Sequence, residues 1–271
     1  MSNLTSSNKP SRLKASISRP GSLALNDRER MFQLMQKYYD AITEHQFLSD
    51  LSKKDAVILL RDRKTIQGFS TLMKIDIELD NKPLRAVFSG DTVIEKDFWG
   101  SRALGTAFLR YMFIEKMKSP FAPLYWLLIT KGYKTYLMMA NNFSDHYPKF
   151  ESATPPGVKR IIDAFYSALY RDRYDPETGL IESPGDPTRL RPGIAVISKA
   201  LADSNPRIAF FQKANPSWQS GTELACIARM TIFMPFYYAS KVFLKDRILK
   251  PVRRLSRLAF SLPKERDRNP Q

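Results

Sequence analysis

The fold of this chain is decided by one stretch, Asp91-Thr-Val-Ile-Glu-Lys-Asp-Phe-Trp-Gly-Ser-Arg-Ala-Leu-Gly-Thr-Ala107. Its β-branched beginning is typical of the end of a strand, and Gly100 and Ser101 form a turn that opens a helix at Ala103. Backbone N–H groups at a helix N-terminus lack internal acceptors and lie at the positive end of the helix dipole. Because small residues such as Gly105 let a phosphate approach those groups, the stretch predicts a pyrophosphate-binding turn.

We expect the anion to contact the turn and the start of the helix, where Arg102 adds a forked cation. The candidate binding residues are Gly100, Ser101, Arg102, Ala103, Leu104, Gly105, Thr106 and Ala107. A nucleotide-hydrolysing phosphate loop needs Lys where Thr106 stands, and a dinucleotide fingerprint needs Gly-x-Gly-x-x-Gly, so the sequence disfavours both. A plain turn between strand and helix explains the glycines equally well and stays open as an alternative.

Upstream of this turn, the sequence predicts one helix and three antiparallel strands. Asn26 and Glu29 have the spacing of a helix cap, and apolar residues then recur at helical intervals to about residue 43. Apolar runs and alternation follow, separated by two turns. The predicted strands cover residues 56–60, 66–79 and 84–94.

Downstream, the pattern predicts a helix over 103–118, a strand over 124–130 and a helix over 133–142. This order combines a hairpin sheet with one crossover unit, so we expect an α/β (α+β) fold with a mixed, mostly antiparallel central sheet flanked by helices. The rest of the chain is less regular. It carries a helical pattern at 158–170, β-like runs at 194–197 and 207–211, and helical periodicity over 222–258.

Two motifs in this arrangement resemble the GNAT acyltransferase superfamily. Arg102-Ala-Leu-Gly105-Thr-Ala107 is similar to the family's pyrophosphate loop, Gln/Arg-x-x-Gly-x-Gly/Ala, and Gly68-Phe69 is similar to the beginning of its long hairpin strand. The resemblance implies a GNAT-like fold and an acyl-CoA or acyl-phosphopantetheine donor, without a metal. It also implies that strands 84–94 and 124–130 diverge beside the loop at 100–107.

The same resemblance implies where the chemistry takes place. A backbone N–H at the end of the central strand, at Val93, Ile94 or Glu95, would polarise the thioester carbonyl. The acceptor amine must lose a proton and the leaving thiolate must gain one, so a carboxylate and a tyrosine are expected. Glu95 is the first candidate for the base and Asp91 the second, and Tyr147 or Tyr136 is the candidate acid. Exposed acids and packed tyrosines are the ordinary alternative.

The composition bounds the classes of partner. The formal net charge is +16, which attracts anionic partners such as phosphorylated cofactors, an acidic acyl carrier protein, anionic lipid or nucleic acid. A single cysteine, Cys226, excludes an internal disulfide, and with two histidines no Cys/His zinc cluster fits the usual spacing. No apolar run approaches the roughly 20 residues of a bilayer span, so we expect a cytoplasmic protein.

The expected organisation has four segments: a disordered basic tail over 1–25, for which a transit peptide is the alternative; a donor-binding core over 26–150; an acceptor-side extension with basic C-terminal helices over 151–262; and a polar tail over 263–271. The acceptor is expected to be a small-molecule amine. Cations and apolar residues alternate over 241–258, which suits peripheral contact with an anionic membrane. A noncatalytic protein that binds a membrane or nucleic acid is the alternative function, although no aromatic-basic motif supports nucleic acid.

Overall fold

The computed structural model describes residues 13–182, 188–234, 236–238 and 240. The chain divides into two compact units, Met1–Thr231 and Ile232–Gln271, and the elements below all belong to the first unit. The segments predicted as basic C-terminal helices and as a polar tail, including the membrane-contact segment 241–258, lie outside the described residues.

The first unit alternates helices with strands. Its helices are α1 (Leu25–Tyr38), α2 (Glu44–Ser52), α3 (Ala103–Met117), α4 (Tyr133–Ala140), α5 (Pro156–Tyr170), α6 (Lys199–Ser204) and α7 (Pro206–Ala214). Its strands are β1 (Lys14–Ser18), β2 (Tyr39–Asp40), β3 (Ala56–Asp62), β4 (Thr65–Leu79), β5 (Lys82–Ile94), β6 (Leu124–Thr130), β7 (His146–Tyr147), β8 (Tyr174–Asp175), β9 (Leu180–Ile181), β10 (Arg189–Leu190) and β11 (Glu223–Met230).

A nine-stranded mixed sheet forms the centre of the fold. Its order is β1-β3-β4-β5-β6-β11-β9-β8, with β7 also paired to β11, while β2 and β10 form a separate two-stranded sheet. The pair β5–β6 is parallel, and the other pairs of this sheet are antiparallel. The expected mixed, mostly antiparallel sheet flanked by helices is therefore confirmed.

The central elements match their predicted positions closely. The hairpin between β4 and β5 turns at Asp80 and Asn81, whose φ angles of 54° and 58° are those of a tight two-residue turn. The helix predicted over 103–118, the strand over 124–130 and the helix over 158–170 are present as α3, β6 and α5, and the helix over 133–142 as the shorter α4. From β3 to α4 the elements follow the predicted order, but α2, which the sequence did not predict, lies between the first helix and β3.

The predictions near the N-terminus were wrong in two respects. The expected disordered tail includes β1, which pairs with β3 from Lys14↔Arg61 to Ser18↔Val57, because its backbone completes the edge of the sheet. The first helix begins at Leu25 with Ala24 as its cap rather than Asn26. It ends at Tyr38 rather than near residue 43, and Ala41, with φ 57°, is already outside helical geometry.

The C-terminal part of the first unit also departs from prediction. Residues 223–230, predicted as helix, form β11. Nearly all of them are buried, and periodicity alone does not distinguish a buried strand from a buried helix, which explains the wrong prediction. Residues 207–211, predicted as β-like, lie in α7, because Asn205 caps that helix and Pro206 begins it. Residues 194–197 belong to no strand. Because β11 pairs with β6, residues of the predicted acceptor-side extension lie in the same sheet as the predicted donor-binding core.

Helices cover the two faces of the sheet unequally. One apolar cluster lies under α1 and α2 and includes Phe69 of β4; a second lies under α5 and is joined by Met73 of β4. Because side chains alternate along a strand, Phe69 and Met73 point to the same face, so both clusters share it. Helix α3 covers the opposite face, where Phe108 packs on Trp126 with ring centroids 4.6 Å apart.

Tyr166 ties α5 to the sheet from inside the second cluster. Its hydroxyl is fully buried between β6 and β11, donates to the Cys226 carbonyl at 2.7 Å, and accepts from the N–H groups of Leu128 at 3.1 Å and Cys226 at 3.2 Å. One side-chain oxygen therefore serves two strands.

Replacing Tyr166 by Phe should lower the free energy of unfolding by about 1–3 kcal/mol, because buried backbone groups would lose their partner. Denaturant unfolding would measure the loss. Tyr125→Phe is the matched control, because that hydroxyl on β6 has no hydrogen-bond partner in the described chain. Equal effects of the two substitutions would contradict the role of Tyr166.

Candidate functional site

The site begins where β5 leaves β6. The parallel ladder runs from Arg85↔Leu124 to Ser89↔Leu128 and ends there. Strand β5 continues to Ile94 on β4, while Ile129 and Thr130 continue on β11. The β4–β5 register shifts between Ser70 and Leu72, where β5 holds one additional residue. The divergence expected beside the loop at 100–107 is confirmed.

Backbone groups at the end of β5 point in two directions. The Glu95 N–H donates to the Gln67 carbonyl of β4 at 2.8 Å. Because hydrogen-bonding directions alternate along a strand, the Val93 N–H also points to β4, and the Ile94 N–H points away from it, toward the gap. The Ile94 carbonyl accepts from the Trp99 indole N–H at 2.8 Å. Among Val93, Ile94 and Glu95, Ile94 is thus the residue whose amide is directed to the gap.

Trp99 links the end of β5 to the start of α4. The Lys134 ammonium lies 3.7 Å from the centre of its indole ring, and Lys134 belongs to the first turn of α4, directly after β6. Contact with a π-system at this distance is a favourable cation–π arrangement. Burial, and secondarily Lys96, lower the pKa of Lys134. Trp99 and Lys134 therefore bridge the two diverging strands.

The predicted anion turn leaves the N-terminus of α3 open. Gly100 has φ +84°, which glycine adopts without strain, and Ser101 and Arg102 are exposed. The side chain of the N-cap residue Arg102 makes no capping hydrogen bond to the helix. The Ala103 N–H donates a long hydrogen bond of 3.3 Å to the Ser101 hydroxyl. The first backbone bond of the helix is made by Thr106 to the Arg102 carbonyl at 2.9 Å.

Two donors at this terminus are therefore unused. The N–H groups of Leu104 and Gly105 have no acceptor in the part of the chain that the structure describes. The first turn of α3 carries no acidic residue, so the positive end of the helix dipole is not neutralised there. Leu104 is buried by its side chain, and Gly105 and Ala107 are half-buried, while Thr106 is exposed. These properties suit a bound anion.

A cavity of about 460 Å³ lies on the opposite face of the sheet, between the clusters under α1/α2 and α5. Its wall takes residues from both diverging strands, including Asp91 and Thr92 of β5 and Ile129 at the end of β6. The remaining wall mixes aliphatic and neutral polar residues with aromatic and charged side chains, and the aromatic and charged ones bear on the chemistry. These side chains include Tyr39, Phe47, Asp50, Lys53, Lys54, Phe88, Lys131, Tyr170, Arg171, Arg173 and Glu223.

Asp91 is the predicted catalytic residue that the structure brings to this cavity. Burial raises the pKa of its carboxyl group, an effect that Lys54 and Lys131 oppose and Asp50 supports. No hydrogen bond to this carboxylate is made by any described residue. The carboxylate therefore faces the cavity with its acceptor positions unused and a raised proton affinity.

Two tyrosines that sequence reasoning did not select share the wall with Asp91. The hydroxyl groups of Tyr39 and Tyr170 have no hydrogen-bond partner within the described ranges. Burial raises the pKa of both, and Asp91 and Glu223 add to the rise. Both are therefore neutral hydroxyls at physiological pH.

Glu95, the first candidate for the base, lies in a network outside the cavity wall. Its carboxylate accepts from Arg30 at 3.1 Å, from Lys37 at 2.6 Å and from the Tyr38 hydroxyl at 3.0 Å. Burial alone would raise the pKa of Glu95, but these three donors hold it below its usual value. The Tyr38 hydroxyl also accepts from the Lys96 N–H at 2.8 Å. This network fixes the end of β5 to α1.

Tyr136 and Tyr147, the candidate acids, do not line the cavity. Tyr136 is 1% exposed, packs against Phe210 and Phe211, and donates to the Pro148 carbonyl at 3.2 Å. Tyr147 lies on β7 opposite Ile227. The Cys226 thiol is packed in the core, where burial raises its pKa to about 12.

The described residues contain neither a membrane-spanning helix nor a metal-binding cluster. No helix among the described residues is long and apolar enough to cross a bilayer. Within the same residues, no three His, Cys, Asp or Glu side chains are grouped to hold a metal ion.

Solved structures with a similar backbone include several acyltransferases. One from Enterococcus faecalis V583, described as a probable N-acyltransferase, has 12% identity and a TM-score of 0.37, and the match covers 51% of this chain and 36% of that chain. An acyl-CoA N-acyltransferase from Pseudomonas aeruginosa has 12% identity, a TM-score of 0.35 and coverage of 48% and 88%. The ribosomal-protein-S18-alanine N-acetyltransferase from Escherichia coli has 16% identity, a TM-score of 0.34 and coverage of 51% and 87%. No protein-family model and no curated protein matches the chain.

Glu95→Gln should lower the free energy of unfolding by about 1–2 kcal/mol at pH 7, because charge-assisted hydrogen bonds to Arg30 and Lys37 would be weakened. A carboxyl group with a depressed pKa stabilises the fold above its unfolded pKa and loses that effect as the pH falls through the folded pKa. The difference between wild type and variant should therefore shrink below about pH 4. Urea unfolding across pH would measure it.

Glu78→Gln is the control, because Glu78 is exposed on β4. A constant difference between Glu95→Gln and wild type at every pH would contradict the assigned network.

Proposed function

We propose that this protein is an N-acyltransferase that moves an acyl group from an acyl-CoA or an acyl carrier protein to an amine in the cavity. The proposal is carried by one observation: β5 and β6 diverge between an open helix N-terminus on one face and a cavity with an unpartnered carboxylate on the other. A thioester whose diphosphate binds at α3 would extend its pantetheine arm into this gap. The amine would approach from the cavity.

Each end of this arrangement suits one reactant. The unused N–H groups of Leu104 and Gly105 and the exposed Arg102 suit a diphosphate. The net charge of +16 suits both the phosphates of coenzyme A and the acidic surface of a carrier protein. The membrane and nucleic-acid alternatives depend on 241–258, outside the described residues.

The proposed reaction is direct attack on the thioester. Asp91 takes a proton from the amine, a nitrogen–carbon bond forms at the carbonyl, and the carbon–sulfur bond breaks. The Ile94 N–H is directed to the gap, where it would stabilise the negative charge that develops on the carbonyl oxygen. The thiolate takes a proton from water or from a neutral hydroxyl of the wall, Tyr39 or Tyr170.

Arg102→Glu should weaken coenzyme A binding by about 10- to 100-fold, because a carboxylate would replace a cation beside the diphosphate. Isothermal titration calorimetry at two salt concentrations would measure this, and the loss should be smaller at high salt. Arg110→Glu, on an exposed position of the same helix, is the control. If both variants bind as wild type does, or if wild type binds neither coenzyme A nor an acylated carrier protein, the proposal is overturned.

Asp91→Asn should lower kcat/KM by about 100- to 10,000-fold, because the amide cannot accept the proton. Wild-type activity should fall as the pH drops through the raised pKa of Asp91, since protonation removes the base, and the variant should lack this acid limb. Thiol release followed across pH would show both effects. Donor affinity should be unchanged, and an identical pH profile in the variant would contradict the role of Asp91.

A further inference from the structure

The cavity wall carries charges of both signs. Its acids are Asp50, Asp91 and Glu223, and its bases are Lys53, Lys54, Lys131, Arg171 and Arg173. A ligand in this space therefore meets an anionic group at Asp91 and several cations. Which cations are available to a ligand follows from their contacts.

Three of these cations already have acceptors. Lys53 pairs with Asp50 at 3.1 Å, Lys131 donates to the Thr188 carbonyl at 2.8 Å, and Arg173 donates to the Glu182 carbonyl at 3.0 Å. Their charges are partly or wholly used within the protein.

Lys54 is different. Its ammonium has no hydrogen-bond acceptor or ion-pair partner within residues 13–182 and the other described ranges. It is half-buried and lies 5.5 Å from the centre of the Phe88 ring. A Cβ atom added to Gly90 would be 3.3 Å from the Lys54 nitrogen, so the missing side chain lets the ammonium lie against β5.

Lys54 and Asp91 are thus adjacent features of one wall that do not pair with each other. Gly90, on which the ammonium rests, precedes Asp91 in β5 at the point where the strands diverge. Lys54 attracts the Asp91 carboxylate and lies near the Phe88 ring, but neither charged group has a hydrogen-bond partner among the described residues, so part of the hydration that each has lost is not replaced. A ligand with opposite charges at its two ends would supply both missing partners.

We propose that the acceptor is an amine that also carries an anionic group, and that Lys54 binds this group while Asp91 receives the amine. This inference rests on the proposed acyltransferase function and specifies the acceptor class of the same site. The cavity volume of about 460 Å³ holds a small acceptor of this kind. The anionic group is a carboxylate or a phosphate, since an ammonium binds both.

Matched pairs of acceptors test this inference. Thiol release from acetyl-CoA and from a long-chain acyl-CoA would be measured with alanine and alaninamide, with β-alanine and its amide, and with phosphoethanolamine and ethanolamine. In wild type, the best pair should favour the charged member by about 10- to 100-fold in kcat/KM, the effect of a charge-assisted hydrogen bond. The pair in which this occurs distinguishes carboxylate from phosphate.

Substitution of Lys54 then assigns the preference to that residue. Lys54→Met should remove the preference by raising KM for the charged acceptor about tenfold or more, with little change for the neutral one. Lys54→Arg keeps the positive charge and should retain most of the preference. The ratio within a pair is measured on one protein sample, so partial misfolding of a variant does not affect it.

Lys64→Met is the control. Lys64 is exposed in the turn between β3 and β4, so this substitution removes the same charge from the surface. It should leave the preference unchanged. If none of the amines causes thiol release, the proposed function fails. If neutral amines react as well as charged ones, or if Lys54→Met keeps the wild-type ratio, this inference alone is overturned.

Discussion

The divergence of β5 from β6 is the constraint on which the rest of the structure depends. Two parallel strands normally stay in register through evenly spaced hydrogen bonds. Here the ladder stops at Ser89↔Leu128, where β5 carries an extra residue against β4 and β6 remains held by β11. Each strand keeps its outer neighbour, so the gap opens without leaving the outer edges unpaired. It directs the Ile94 amide to open space and places Asp91 in a cavity wall.

Electrostatics then differ between the two faces of the sheet. On the α3 face, unused N–H groups and the helix dipole produce a positive site without a buried charge. On the α1 and α5 face, Asp91 and Lys54 are charged groups without a hydrogen bond or ion pair among the described residues. Glu95, by contrast, is fully engaged by Arg30, Lys37 and Tyr38. Two carboxylates near the end of β5 thus suit different roles: Glu95, directly after the strand, ties it to α1, and Asp91, within the strand, suits a proton acceptor.

The candidate site was predictable in part. The turn from Gly100 to Ala107 was found from local sequence, because a strand end, small residues and a helical period are all encoded within one short stretch. Asp91 comes from the same stretch as the second candidate for the base, after Glu95, and the structure places it in the cavity wall. Tyr39, Lys54 and Tyr170 were missed, because they come from β2, the loop after α2, and α5, and no local spacing indicates that they meet.

The sequence by itself determined the helices and strands from β3 to α4 and the open N-terminus of α3, because periodicity, turns and terminal hydrogen bonding are properties of neighbouring residues. Only the tertiary structure decided that β1 and β11 belong to the sheet, since pairing with β3 and β6 depends on backbone groups distant in sequence. It likewise decided which carboxylate is engaged and which faces the cavity. Burial and partners arise from packing, and they set the proton affinity of Asp91 and Glu95 in opposite directions.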